Sequence, residues 1–120
     1  MTNNKVLICE DDEGIIDVES TILKECGYDV KIVTDGRLVI DLINEVLPNL
    51  ILLDLWMPNV TGEAIAKEVK NNPLTKNIPI IIVSANKDAS QIAMSSGAND
   101  FIAKPFDIID LENMVSKYLH

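Results

Sequence analysis

Four apolar runs in this 120-residue chain end in a group that could do chemistry. Val6-Leu7-Ile8-Cys9 runs into Glu10-Asp11-Asp12-Glu13, and Leu50-Ile51-Leu52-Leu53 runs into Asp54. Ile80-Ile81-Ile82-Val83 runs into Ser84, and Phe101-Ile102-Ala103 into Lys104. Taken singly, a strand-ending Asp or Ser is an ordinary turn residue or helix cap, and a lone lysine an ordinary solvated charge. Together they form the set that phosphoryl transfer to a carboxylate needs. Magnesium prefers hard oxygen ligands and takes few carboxylates beside phosphate and water; Glu10, Asp11 and Asp54 offer such a set. Lys104 can neutralise a phosphoryl oxygen as a compact charge, and the Ser84 hydroxyl can donate to another. Asp54 is left as the nucleophile that would form an acyl phosphate, the rest of the site acting by positioning and charge neutralisation.

The elements that bring these groups together follow from periodicity. The stretch from Leu50 to Asp54, between Pro48 and Pro58, is too short and too uniformly apolar for an amphipathic helix and reads as a strand buried on both faces. A carboxylate is costly to bury without partners, so the strand ends near Asp54. Lys5–Cys9, Tyr28–Val33, Ile78–Val83 and Asp100–Ala103 complete a set of five strands. Helical periods lie between them. The first, Gly14–Cys26, carries an inner stripe of Ile15, Val18, Ile22 and Cys26, with Ile16 and Leu23 beside it. The second runs from Leu38 to Leu47 behind an Asp35 cap, and the third faces inward through Ile65, Ala66 and Val69. The fourth spans roughly Asp88 to Ser96 and stops at Gly97. The fifth is capped by Asp107 and faces inward through Ile108, Leu111, Val115 and Tyr118. Alternating β and α units argue for a doubly wound α/β fold, a parallel sheet covered on both faces. In such a sheet all the carboxyl ends share one edge, where ligands bind.

Composition narrows the function. The formal net charge of −9 opposes nonspecific binding to nucleic acid or anionic membrane. No apolar run approaches the ~18 residues of a membrane span, and the first residues do not resemble a signal peptide, so a cytoplasmic protein is expected. Cys9 and Cys26 read as buried thiols, not as a disulfide or metal pair. With His120 the only histidine, no His-based triad can form unless the terminus folds back. Nucleotide-binding glycine loops, HExxH and GxSxG are absent.

At these residues the chain resembles the receiver domain of two-component response regulators, single-domain chemotaxis and phosphorelay types included. The resemblance extends from about Lys5 to Leu119. It rests on Val6-Leu7-Ile8-Cys9-Glu10-Asp11-Asp12, on Pro48 through Pro58 with Gly62, on Val83-Ser84-Ala85, and on Gly97 through Phe106. It implies a flavodoxin-like five-stranded parallel sheet of order 2-1-3-4-5 with five helices, one of the two common doubly wound orders. It further implies that Asp54 is the phosphoacceptor and Asp11 the main acidic magnesium ligand. Glu10 would assist through water and the Trp56 backbone carbonyl would be a further ligand. Ser84 resembles the hydroxyl switch residue and Phe101 the aromatic switch position. Lys104 resembles the lysine that contacts the phosphoryl group, and its bond to Pro105 is expected to be cis.

The resulting expectation is one receiver domain over residues 1–120, with no output domain in this chain and no turnover enzyme activity. A sensor histidine kinase or histidine phosphotransfer protein would donate the phosphoryl group to Asp54 with Mg2+. A downstream effector protein or output domain would read the surface of the fourth helix, fifth strand and fifth helix. Direct contact with nucleic acid by this domain is not expected. A phosphorylation-independent receiver-like interaction module is the alternative. A magnesium-dependent aspartyl-phosphate phosphatase fits poorly, because it wants an aspartate where Trp56 stands. Trp56 and Asn86 border the path of an attacking water and would set the lifetime of the acyl phosphate.

Overall fold

Hydrophobic runs of four or five residues are long enough to cross a sheet and too short to cover it as helices, and each one forms a strand. The computed structural model describes residues 4–85 and 88–119; Asn86 and His120 lie outside the described residues. The strands are β1 (Lys5–Cys9), β2 (Asp29–Val33), β3 (Leu50–Asp54), β4 (Ile80–Ser84) and β5 (Asp100–Ala103). They pair in parallel in the order β2-β1-β3-β4-β5. The helices are α1 (Glu13–Glu25), α2 (Val39–Val46), α3 (Gly62–Asn71), α4 (Ala89–Ser96) and α5 (Ile108–Tyr118), with a 3-10 turn at Gly36–Leu38 before α2. This is the flavodoxin-like order, and among the described residues no helix is long and apolar enough to cross a membrane.

Strand alternation divides the core into two layers. Leu7, Cys9, Ile51, Leu53, Ile80 and Ile82 pack against α2, α3 and α4. Val6, Ile8, Leu50, Leu52, Ile81, Val83 and Ile102 pack against α1 and α5 through Ile22, Leu23, Leu111 and Val115. Every residue of β3 is buried, as its uniform apolar run requires. Burying each large aliphatic side chain stabilises by ~1.5–3 kcal/mol, and those of β3 together can offset ending the strand in an enclosed carboxylate.

Several local expectations need correction. On α1 the buried face runs through Ile16, Glu19, Ser20, Ile22 and Leu23, and Val18 is exposed. Two apolar stripes one residue apart differ by only ~100° around a helix, so the pattern cannot choose between them, and the inward one contains a glutamate that hides it. Cys26 ends the helix at its C-cap and is exposed, while Cys9 is buried and its thiol is pushed up by burial. Asp35 caps the 3-10 turn, accepting from the Arg37 amide at 2.9 Å, and not α2 itself. Asp107 holds the N-cap position of α5 but makes no side-chain cap hydrogen bond, and Ile108 in the first turn is 56% exposed. β4 starts at Ile80, because the Ile78 amide closes a turn on Thr75 and Lys70 Nζ takes the Ile78 carbonyl at 2.7 Å.

Two details set where β3 delivers its last residue. Thr61 caps α3 by accepting from the Ala64 amide at 3.2 Å. Gly62 then starts the helix against the end of the strand, its amide donating to the Leu55 carbonyl at 2.8 Å. A Cβ on Gly62 would lie 2.5 Å from the Asp54 carbonyl oxygen and 2.8 Å from Leu55 Cα, both backbone atoms that cannot step aside. Gly62→Ala is therefore expected to cost about 2–3 kcal/mol of stability, read as a lower urea midpoint with unchanged slope. A midpoint equal to the wild type would contradict this close approach.

Candidate functional site

Three side chains converge on one face of the sheet because of strand parity. Glu10 continues β1, its amide donating to Val33 at 3.1 Å, and Lys104 continues β5, its amide donating to Ser84 at 3.0 Å. Two residues after Ile8, Leu52 and Ile102, the positions of Glu10, Asp54 and Lys104 fall on the α1/α5 side. Lys104 Nζ donates to Glu10 Oε1 at 2.6 Å and lies 3.7 Å from Asp54 Oδ1. The other Glu10 oxygen accepts from the amides of Asp11 and Asp12 at 3.1 and 3.3 Å, and Asp54 Oδ1 accepts from the Trp56 amide at 3.3 Å. Glu10 and Asp54 are buried and Asp11 is exposed at the mouth. The Lys104–Pro105 peptide is cis.

Carboxylate oxygens of Glu10, Asp11 and Asp54 lie within 4.8 Å of one another. Hard, anionic oxygens so close repel one another, and a small divalent cation is what such a donor set fits. Asp54 carries the mark of this crowding. Burial first, then the charge of Glu10, pushes its carboxyl up to about 6, with the Lys104 ammonium opposing. Burial would depress Lys104, but the hydrogen bond to Glu10 and the charges of Asp54, Glu10 and Glu19 outweigh it and its pKa is raised.

The other candidates stand apart. Ser84 is buried at the end of β4, one residue beyond Val83, the partner of Asp54 in the sheet. Ser84 pairs with Ala103 and Ile82 with Phe101, so alternation puts Ser84 and Phe101 on the α3/α4 side, opposite the carboxylates. Phe101 is half-buried and packs against the core layer that contains Ala89 and Ala93 of α4. Trp56 is 58% exposed beside Asp54.

One residue of the site escaped sequence reasoning. Glu19 on α1 is 1% exposed, and its Oε2 has no hydrogen-bond partner. It lies beneath the cluster, close enough to feel Glu10, Lys104 and Asp54. A charged residue between Ile16 and Leu23 would have revealed it had the inward stripe been chosen correctly.

Residues 6–116 match the response regulator receiver domain. Sporulation initiation phosphotransferase F of Bacillus subtilis is 34% identical over 121 residues, covering 99% of this chain and 96% of that protein. The DNA-binding dual master transcriptional regulator RpaA of Synechocystis is 34% identical over 110 residues, covering 89% of this chain and 45% of the regulator. The chain spans about half the length of most curated relatives it matches. The chemotaxis response regulator CheY4 of Vibrio cholerae superposes with a TM-score of 0.91 at 28% identity, covering 98% of this chain and 100% of that one. The receiver domain of a Pseudomonas aeruginosa sensor histidine kinase, with magnesium coordinated in its active-site cleft, gives 0.89 at 26% identity and covers 98% of each.

The buried Glu19 carboxyl gives a pH signature. Burial first, then the charge of Glu10, raises it from an ordinary 4.5 to about 8, Lys104 opposing and Asp54 adding. Between those values the folded chain binds a proton that the unfolded chain has released, so the Glu19 contribution to stability falls as pH rises. Glu19→Leu is expected to be more stable than the wild type, by a margin that widens from about pH 5 to about pH 8 in magnesium-free buffer. Urea titrations across that range that give a constant margin would contradict it.

Proposed function

Because the chain belongs to the response regulator receiver domain family, we propose that it is a phosphoacceptor switch in which Asp54 receives a phosphoryl group. The observation that carries the reading is the Asp54 carboxylate at the end of β3, 3.7 Å from the Lys104 ammonium and grouped with the carboxylates of Glu10 and Asp11. The donor is a phosphohistidine on a sensor histidine kinase or a histidine phosphotransfer protein. An Asp54 oxygen attacks phosphorus, the P–N bond to the donor imidazole breaks, and the histidine leaves with its electron pair and takes up a proton. Glu10, Asp11, Asp54 and the Trp56 carbonyl would hold Mg2+, which when bound supplies positive charge to the phosphoryl oxygens. Lys104, held now by Glu10, exchanges that contact for a phosphoryl oxygen. The Ser84 hydroxyl donates to another.

Drawing Ser84 across the sheet changes the face it shares with Phe101, and the α4–β5–α5 surface shifts between two arrangements. Moving that surface from 1:99 to 99:1 takes ~5.5 kcal/mol. Charge-assisted hydrogen bonds from Ser84 and Lys104, at about 1.5–3 kcal/mol each, come to the same order. Phe101 has no hydroxyl, so its inward position is held by packing. A downstream effector or an output domain reads the surface. The net charge of −9 supports a domain that does not itself contact nucleic acid. With Trp56 where a phosphatase would want a second aspartate, turnover of small phosphate esters is not expected.

Incubation with magnesium and acetyl phosphate or a cognate kinase, read by intact mass, is expected to give one phosphoryl adduct on the wild type and none on Asp54→Asn. Full labelling of that variant would overturn the assignment. A wild type that takes label from neither donor would favour a phosphorylation-independent interaction module. Trp56→Ala is expected to shorten the acyl-phosphate lifetime several-fold by opening Asp54 to water; an unchanged decay would mean that the indole does not shield it.

A further inference from the structure

The β2–α2 turn is fastened to the β3–α3 loop. The Gly36 amide donates to the Pro58 carbonyl at 3.1 Å, and Asn59 Nδ2 donates to Asp35 Oδ1 at 3.2 Å. The segments approach so closely that a Cβ on Gly36 would lie 2.7 Å from the Pro58 oxygen and 3.0 Å from Val60 Cβ. Arg37, the only arginine, orients Asp35 from the other side, with its guanidinium on both carboxylate oxygens at 2.8 to 3.2 Å. Exposed as it is, that ion pair adds little stability; what it does is fix one carboxylate orientation for Asn59. Asn59 has φ 72°, a left-handed conformation that asparagine tolerates better than most residues.

The same loop carries Trp56. At its base the Trp56 amide binds Asp54 Oδ1 and the Gly62 amide binds Leu55; at its tip Asp35 and Gly36 bind Asn59 and Pro58. A ligand group on a loop costs ordering entropy when a cation binds, and outer contacts that order it beforehand reduce that cost.

We infer that Asp35 and Asn59 are positioning residues for phosphoryl acceptance: their hydrogen bond clasps the β3–α3 loop at its tip and orders the segment whose Trp56 carbonyl would join the carboxylates in holding a divalent cation. The inference rests on Asp54 being a cation-dependent acceptor.

The test is a magnesium titration followed by the fluorescence of Trp56, the only tryptophan, in wild type and four variants. Asp35→Ser and Asp35→Asn remove the same charge, but only the asparagine keeps an oxygen within reach of Asn59. Asn59→Gly deletes the amide and accepts the left-handed backbone. Asp35→Ser and Asn59→Gly are expected to weaken magnesium binding about three- to tenfold, the worth of one hydrogen bond. Asp35→Asn stays with the wild type, and the Asp35→Ser/Asn59→Gly double variant is no weaker than its weaker parent. Without magnesium, the Gly36 amide exchanges faster in Asp35→Ser and Asn59→Gly. Affinities unchanged in every variant, or Asp35→Asn weakened as much as Asp35→Ser, would overturn the clasp while leaving the acceptor reading intact. A wild type with no saturable magnesium response would instead remove the acceptor reading, and the clasp with it.

Discussion

The Lys104 ammonium between Glu10 and Asp54 is the contact on which the site depends. Two carboxylates enclosed at the ends of adjacent parallel strands are tolerated only with a compensating charge. Sheet order places them side by side: β1 and β3 are neighbours, and every strand runs the same way, so all chemistry-bearing ends meet at one edge. Lys104 arrives from β5, two strands from β3, and only a long flexible side chain can span that distance. The 2.6 Å bond to Glu10 leaves Asp54 less completely neutralised, which is consistent with a carboxyl raised to about 6 by burial and by Glu10. The three carboxylates of Glu10, Asp11 and Asp54 face the single ammonium of Lys104, and a divalent cation with a phosphoryl group is what the proposed function adds.

The sheet also separates the acidic cluster from Ser84 and Phe101. The carboxylates and Lys104 sit above the α1/α5 layer, whereas alternation sends Ser84 and Phe101 to the side of α3 and α4. The two faces are joined through the backbone, where the Lys104 amide binds the Ser84 carbonyl at 3.0 Å. The buried Glu19 next to the acidic cluster keeps one carboxyl oxygen without a hydrogen-bond partner, which costs the desolvation of that atom.

The sequence by itself determined the strands, their polar ends and, through the alternation of β and α units, that these ends would share an edge. β1 and β5 have the bounds that the apolar runs predict, and Asp54 closes β3. In β3 these features are legible because a strand buried on both faces is apolar throughout and a carboxylate is costly inside it. Tertiary structure alone decided which of two adjacent stripes on α1 faces the sheet, and so that Glu19 is buried while Val18 and Cys26 are exposed. It also decided that Ile108 stays at the surface and that Asp35, remote in sequence from Asn59, would grip it. Helical periodicity is too coarse to resolve a rotation of one residue, and contacts between loops leave no period at all. Both depend on where neighbouring elements come to rest, which only the packed chain specifies.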